Sequence, residues 1–310
     1  FISVACALPV NREPGMPLPV MPFAWGSDER ARQMAEGSTR VYDWLMAPHR
    51  SVIERRARAF GIPARGMLHE CLSPLAQISQ TVAAFDFPRL ALPAHFHHVG
   101  PLRHPARHGS DHREPKSMPT TVPVPDLDPG RPFIFASLGT LQGQRFDLFR
   151  RIARACRQLD AQLLLAHCGG LSARQEVALQ AAGATWVCAF ADQQQVLARA
   201  DAVVTHAGLN TVMDAIAART PMLALPIAFD QPGAAARICH AGIGLRASPR
   251  FASPRHLAAQ LRRLLQEPRF SRRLEPMADA VASAGGAARA ADIVEQSLRL
   301  RTASPAGMTA

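Results

Sequence analysis

Between residues 132 and 246, short apolar runs alternate with helical segments, and this alternation constrains the fold more than any other feature of the chain. The runs lie at 132–137, 162–168, 185–190, 201–205, 222–226 and 243–246. Residues 144–159 form the clearest helical segment between them. Phe146, Phe149, Ile152, Ala153 and Cys156 fall on one face there, with Arg150, Arg151 and Arg154 mostly outside it. Strands that alternate with helices of this length predict an α/β fold with a parallel sheet covered on both sides. Ligands of such sheets bind beyond the carboxyl ends of the strands, so the chemistry is sought at the strand exits.

Composition limits the rest of the chain. At 310 residues, 48% hydrophobic and 19% charged, it is neither disordered nor collagen-like, and it has room for two cores. Its longest apolar stretch, 221–229, is far shorter than the ~18–20 residues that span a bilayer. The net charge is +11, yet every basic residue except Lys116 is Arg, and Asn occurs only at 11 and 210. That bias has the look of GC-rich coding, so the charge is weak evidence for a polyanionic partner. Seven prolines between Pro101 and Pro129 mark a linker. Six histidines cluster from His95 to His112 at spacings that match no standard metal-ligand set, and no metal is expected. Six cysteines without CxxC spacing fit buried free thiols in a reducing compartment, hence a cytoplasmic location. The chain opens at Phe1 in an apolar run, 1–8, with no basic segment before it. This reads as a buried strand rather than a signal peptide. An Arg-rich helical region follows over 27–60, with Val41, Trp44, Leu45, Val52 and Ile53 as its apolar contacts. It reads as an ordinary amphipathic helix, with a membrane-surface helix as the alternative.

The densest chemical signal follows the run 201–205. His206, Gly208, Asn210 and Thr211 stand where a strand gives way to an apolar helix. Glycine permits close backbone approach, a helix amino end binds anions, and the His ring adds a donor or a charge. Asp214 lies one helical turn beyond Asn210, placed for sugar hydroxyls. Phosphate donors beside a carboxylate suit a nucleotide diphosphate. The plainer alternative is that Asn210 or Thr211 caps the helix and His206 is a satisfied core residue. Ser137, Gly139 and Thr140 form a second candidate phosphate loop after the run 132–137. Asp230 and Gln231 follow the run 222–226 and can bond adjacent hydroxyls, unless Asp230 merely caps a helix. No P-loop or G-x-G-x-x-G fingerprint is present, which disfavours a P-loop NTPase or an NAD enzyme.

These residues, in this order, resemble the donor-binding signature of family 1 UDP-glycosyltransferases. That resemblance implies a GT-B fold of two facing Rossmann-like domains. Phe190 and Gln193 match the segment beside the uracil, and His206, Gly208, Asn210 and Thr211 match the pyrophosphate run. Asp214 matches the acidic ribose position, and Asp230 and Gln231 the pair on the donor sugar. Ser137, Gly139 and Thr140 match the loop near the phosphates. Segments 1–22, 42–46, 73–79, 135–143, 163–172 and 228–232 further resemble the zeaxanthin-glucosylating bacterial branch of the family. The resemblance implies inverting transfer of glucose from UDP-glucose to a hydroxylated carotenoid, with no cofactor or metal. An acceptor this apolar implies peripheral association with the inner face of a membrane.

The sequence departs from the family pattern at several positions. Phe190 replaces a Trp, Asp192 a Pro, Asp214 a Glu and Arg219 a Gly. The family's catalytic His and its orienting Asp have no counterpart, because the chain begins at the strand that follows them. None of His49, His69 or His95–His98 lies in the matching context. The expected organisation is therefore the back part of an acceptor-binding N-domain over 1–100 and a Pro/His-rich linker over 101–131. A UDP-sugar-binding Rossmann-like domain over 132–285 follows, then a C-terminal helix with a flexible tail over 286–310. The N-terminal domain is thus expected to be incomplete, and the fragment to bind donor without a catalytic base. A UDP-glycosyltransferase for another lipid or a macrolide is the alternative. A basic nucleic-acid-binding protein is a remote one, disfavoured by the lack of a recognition motif and by 6% aromatic content.

Overall fold

The computed structural model describes residues 1–103 and 124–302. Most of the proline-rich stretch and its histidines at 104, 108 and 112, together with the expected tail beyond 302, lie outside the described residues. The elements run β1 (Ser3–Ala5), α1 (Glu29–Leu45), α2 (Ala47–Ala59), β2 (Gln77–Ser79), β3 (Phe96–His98), β4 (Phe133–Ser137) and α3 (Phe146–Gln158). There follow β5 (Gln162–Ala166), α4 (Ala173–Ala182), β6 (Trp186–Cys188), α5 (Gln193–Leu197), β7 (Ala202–Thr205) and α6 (Leu209–Ala217). The chain ends with β8 (Met222–Ala224), α7 (Gln231–His240), β9 (Gly244–Arg246), α8 (Pro254–Gln266), α9 (Arg269–Ser283) and α10 (Gly286–Thr302).

All six apolar runs form strands, β4 to β9, in one wholly parallel sheet of order β6-β5-β4-β7-β8-β9. This is the doubly wound order, growing first to one side of β4 and then, from β7, to the other. Ser137 pairs with Thr205, so the exits of β4 and β7 lie side by side at the reversal. Two apolar layers sandwich the sheet. On one face α3 and α8 bury Phe149, Ile152, Leu257 and Leu261 against Ile134, Leu163 and Val204. On the other, α6, α7 and α9 bury Val212, Ile216, Ile238 and Leu274 against Phe135, Leu164 and Val203. The inner strands are buried on both sides, which is why they read as continuous apolar runs rather than alternating ones.

A second parallel sheet, β1-β2-β3, forms from the first hundred residues. Helix α10 returns to it, placing Ile293 with Ala76, Ile78 and Val99. The two sheets are joined by polar and close-packed contacts. Arg237 on α7 is wholly buried and donates to Asp86 Oδ1 at 2.7 Å, with its guanidinium 4.2 Å from the Phe87 ring. Gly233 N–H donates to Pro19 O at 3.0 Å, an approach so close that a Cβ at 233 would lie 2.0 Å from that oxygen.

Three expectations are corrected. The run 1–8 is not a buried strand: β1 is a three-residue edge strand, and Val4 is half exposed. The helical region 27–60 is two helices that break at Met46, because Pro48 has no N–H to donate into a continuing helix. Its apolar residues are not core contacts: Val41, Trp44, Leu45 and Val52 are exposed, while the small Ala35 and Ala57 face inward. The cysteines are all free, but only Cys156 and Cys188 are buried.

Candidate functional site

A pocket opens where the β4 and β7 exits meet, and backbone geometry shapes it first. Thr205 ends β7 with its Oγ1 accepting the Ala207 N–H at 3.2 Å. Ala207 takes a left-handed φ of 67° and turns the chain into Gly208, the N-cap of α6. Among the described residues no side chain caps this helix, so its first N–H groups face the pocket, and a helix amino end favours an anion there. Capping by Asn210 or Thr211 is thereby excluded. Across the pocket Ser137 ends β4, and Gly139 at φ 73° turns the second loop.

The His206 ring fills the space between these two turns. A Cβ on Gly139 would lie 2.7 Å from the ring, and one on Gly208 would lie 2.4 Å from Nε2. The ring therefore requires both glycines, and the left-handed φ at Gly139 favours glycine there as well. Among the described residues His206 Nδ1 is buried without a hydrogen-bond partner, so this is no satisfied core histidine. Burial pushes its pKa down to about 4. At neutral pH the ring is uncharged and has one N–H to donate.

Behind the pocket runs a hydrogen-bonded relay. Thr211 Oγ1 donates to Gln193 Oε1 at 3.0 Å, and Gln193 Nε2 donates to Asp214 Oδ2 at 2.6 Å. Arg103 closes the relay by donating to Asp214 Oδ1 from Nη2 at 2.9 Å and from Nε at 3.2 Å. Its Nη2 also donates to the Asn210 carbonyl at 3.3 Å. On the remaining wall, Asp230 Oδ2 accepts the Leu8 N–H at 2.8 Å, tying this wall to the first sheet. Asp230 does not cap α7 with its side chain, which removes the plainer reading of that residue. Gln231 Oε1 accepts the N–H groups of Ile227 and Ala228, both at 2.8 Å, and holds the loop between β8 and α7.

Ten of the twelve expected residues line this one pocket: Ser137, Gly139, Thr140, Gln193, His206, Gly208, Asn210, Thr211, Asp230 and Gln231. Asp214 does not, standing one residue behind Gln193. Phe190 does not either, being half-buried after β6. Cys6, Leu141, Gln142, Cys168 and Phe229 also line the pocket. Phe229 and Cys168 carry a signal visible only in the backbone, since both are non-glycine residues held at left-handed φ, 56° and 53°. Arg103 is the contact that sequence reasoning missed, 111 residues from its partner. Among the described residues, no group of three or more His, Cys, Asp or Glu side chains is arranged to hold a metal ion. Among them too, no helix is long and apolar enough to cross a membrane.

Comparison with known proteins agrees with this architecture. The family profile described as UDP-glucoronosyl and UDP-glucosyl transferase matches residues 76–277. A zeaxanthin glucosyltransferase of Pseudescherichia vulneris is 51% identical over 298 residues, covering 96% of this chain and 68% of that protein. Its counterpart from Pantoea ananas is also 51% identical, over 96% of this chain and 66% of its own length. The chain thus spans about two thirds of the length of these relatives. Among solved structures, the calicheamicin glycosyltransferase superposes with a TM-score of 0.66 at 23% identity, over 82% of this chain and 61% of that one. The fold is GT-B, and the chain belongs to the UDP-glucoronosyl and UDP-glucosyl transferase family.

Proposed function

We propose that the pocket between β4 and β7 binds UDP-glucose and that the protein serves inverting transfer of glucose to the hydroxyl groups of a carotenoid such as zeaxanthin. The observation that carries the acceptor is the 51% identity to two zeaxanthin glucosyltransferases over 96% of the chain. The donor reading rests on the open amino end of α6 beside His206. In this reading the α6 N–H groups, the His206 ring N–H, Ser137 and Thr140 receive the diphosphate. As the bond from glucose to phosphate lengthens, negative charge grows on the departing oxygen, and donors already in place stabilise it. No metal takes part. Asp214, acting with Gln193, receives the ribose hydroxyls, and Asp230 with Gln231 the glucose hydroxyls. Phe190 flanks the base from outside the pocket wall. No residue of this chain is assigned the base that activates the acceptor. Peripheral association with a membrane would bring an acceptor this apolar within reach.

Isothermal calorimetry with UDP and UDP-glucose tests the donor half. His206→Ala and Asp214→Ala each weaken binding about tenfold, the loss of one hydrogen bond to a charged group. EDTA leaves the affinity unchanged. Binding that is indifferent to both substitutions refutes the site. For the acceptor, micellar zeaxanthin and a macrolide aglycone are offered in parallel with UDP-glucose. Glucosylation of the macrolide alone refutes the carotenoid reading.

A further inference from the structure

Backbone strain in this protein gathers around the donor pocket. Among the described residues, five that are not glycine hold a left-handed φ: Asp160, Cys168, Ala207, Arg219 and Phe229. Asp160 and Arg219 each stand one residue past the C-cap of a helix, α3 and α6, where that conformation is an ordinary way to end. The other three follow β5, β7 and β8, on the side of the sheet where the pocket opens. Ala207 makes the turn into α6, and the Cys168 side chain is short. Phe229 is bulky, and for a bulky residue a left-handed φ is a genuine outlier.

Packing does not account for a phenylalanine there. Gln231 N–H donates to Ala228 O at 3.2 Å, so Phe229 and Asp230 are the central residues of a turn, at φ 56° and −84°. Gly, Asn and Asp dominate a first central position of positive φ. Both flanks of the turn are tied down, by Gln231 Oε1 accepting from Ile227 and Ala228 and by Asp230 Oδ2 accepting from Leu8. The Phe229 ring takes no part in these ties. It is 65% exposed, and among the described residues it joins neither apolar layer of the six-stranded sheet. Stability alone favours glycine at this position. Strain of this kind persists where the surroundings enforce it, and it clusters at ligand sites.

The ring's neighbours indicate what it meets. Phe229 lines the same pocket as Asp230 and Gln231 and adjoins them in the chain, on the wall that the donor reading gives to the hexose. The ties above occupy Asp230 Oδ2 and Gln231 Oε1, which leaves Oδ1 as an acceptor and Nε2 as a donor for hydroxyls. A glucopyranose carries its hydroxyls around its rim and C–H groups on its faces. Polar side chains meet the rim, whereas a C–H face is taken out of water by an apolar surface such as an aromatic ring. A diphosphate has no such face.

We infer that Phe229 is a binding residue for the sugar half of the donor, its ring stacked on the C–H face of the hexose while Asp230 and Gln231 hold the hydroxyls. The inference rests on the donor reading of the pocket and adds a contact that distinguishes UDP-glucose from UDP.

Calorimetry of the whole chain with each of these two ligands is the test. Phe229→Ala removes the ring and is expected to weaken UDP-glucose about 3- to 10-fold while leaving UDP unchanged. Phe229→Tyr keeps the stacking face and the affinity for UDP-glucose. Phe229→Gly removes ring and strain together, so it should weaken UDP-glucose as Ala does and yet raise the thermal midpoint by about 1–3 °C. A merely structural residue does not lose affinity and gain stability in one substitution. An unchanged ratio of UDP-glucose to UDP affinity in Phe229→Ala overturns the inference. An equal loss for UDP also overturns it, by assigning the ring to the nucleotide. So does a lower midpoint in Phe229→Gly, since the ring would then be holding the fold. Wild-type protein that binds neither ligand refutes the donor reading and this inference with it, whereas UDP binding with an unaltered ratio refutes the hexose contact alone.

Discussion

Asp86→Asn is expected to destabilise the protein far more than Arg237→Met, although both break the same ion pair. Asp86 is 2% exposed at its side chain and Arg237 is fully buried. Oδ1 of Asp86 accepts from Arg237 Nε at 2.7 Å and from the Phe87 N–H at 2.8 Å, while Oδ2 accepts from Arg89 Nε at 3.0 Å. Burial alone would raise this carboxyl, but the Arg237 and Arg89 guanidiniums outweigh it and hold the pKa below the ordinary value. Asparagine keeps the shape and removes the charge. Arg237, whose Nη2 lacks a partner among the described residues, then loses its hydrogen-bonded counter-charge and keeps only the attraction of Asp230. Stripping a buried charge of its ion-pair partner costs about 3–5 kcal/mol. Methionine at 237 removes the buried cation itself and leaves Asp86 still bonded to Arg89 and the Phe87 N–H. Because Asp86 keeps Arg89 as a counter-charge at 3.0 Å, no buried charge is left unpaired, and a loss of at most about 2 kcal/mol is expected. Urea unfolding followed by circular dichroism measures both. The acid limb gives a second reading. A carboxyl depressed in the folded state stabilises above its unfolded pKa, and that contribution is lost as pH falls through the folded value. Asp86→Asn should flatten stability over that acid range. Arg237→Met costing as much as Asp86→Asn would show that contact, not charge, makes this join between the sheets.

The remaining expectations concern other parts of the site and its support. His206, with a folded pKa of about 4 against 6.5 unfolded, stabilises fully above pH 6.5 and loses that contribution as pH falls toward 4. His206→Gln should therefore narrow the gap between urea midpoints at about pH 7.5 and pH 4.5, and an unchanged gap refutes the burial of a neutral ring. Gly233→Ala forces a Cβ to within 2.0 Å of Pro19 O and should cost about 1–3 kcal/mol by thermal unfolding; a neutral result would mean that the loop simply steps aside. Arg219 stands at φ 57°, where the family has glycine, and its exposed pair with Asp279 at 3.4 Å is worth little. Arg219→Gly should stabilise by about 0.5–1 kcal/mol, and a loss would mean that the pair outweighs the backbone strain. Arg103 occupies the Asp214 oxygen not held by Gln193. Arg103→Gln should tighten UDP about 3- to 10-fold in calorimetry, whereas weaker binding would make Arg103 part of the donor site.

Most of the six-stranded sheet was legible because its inner strands are buried on both faces and the motif at its strand exits is local. The segment from Thr205 to Thr211 carries a strand exit, a turn and a helix start within seven residues, and a short motif records such an arrangement. What was not legible depends on distant partners. Phe190 belongs to the right segment, but the path of the chain after β6 keeps it off the pocket wall. The β4–β7 reversal that gathers Ser137 and His206 follows from strand order, which no single strand encodes.

The arginines show most clearly where composition misleads. Read as a list, they look like a coding bias with a net charge of +11 attached. Read in place, they separate by burial. Arg237 and Arg89 are 0% and 5% exposed and share Asp86, so Arg237 binds one sheet to the other and Arg89 holds the carboxylate it reaches. Arg103 is about one-third exposed and neutralises the carboxylate behind the pocket. The arginines of α2 are exposed and, apart from Glu54, share that helix with no acid, so they act together as a field. A coding bias explains why these residues are Arg rather than Lys. It does not explain why two lie deep in the join while others crowd around exposed Val52 and Phe60. The apolar stripe on α1 has the same ambiguity, since helical periodicity shows that a face exists and not what covers it. Among the described residues α1 buries Ala35 and leaves Trp44 exposed, the reverse of what side-chain size alone would suggest.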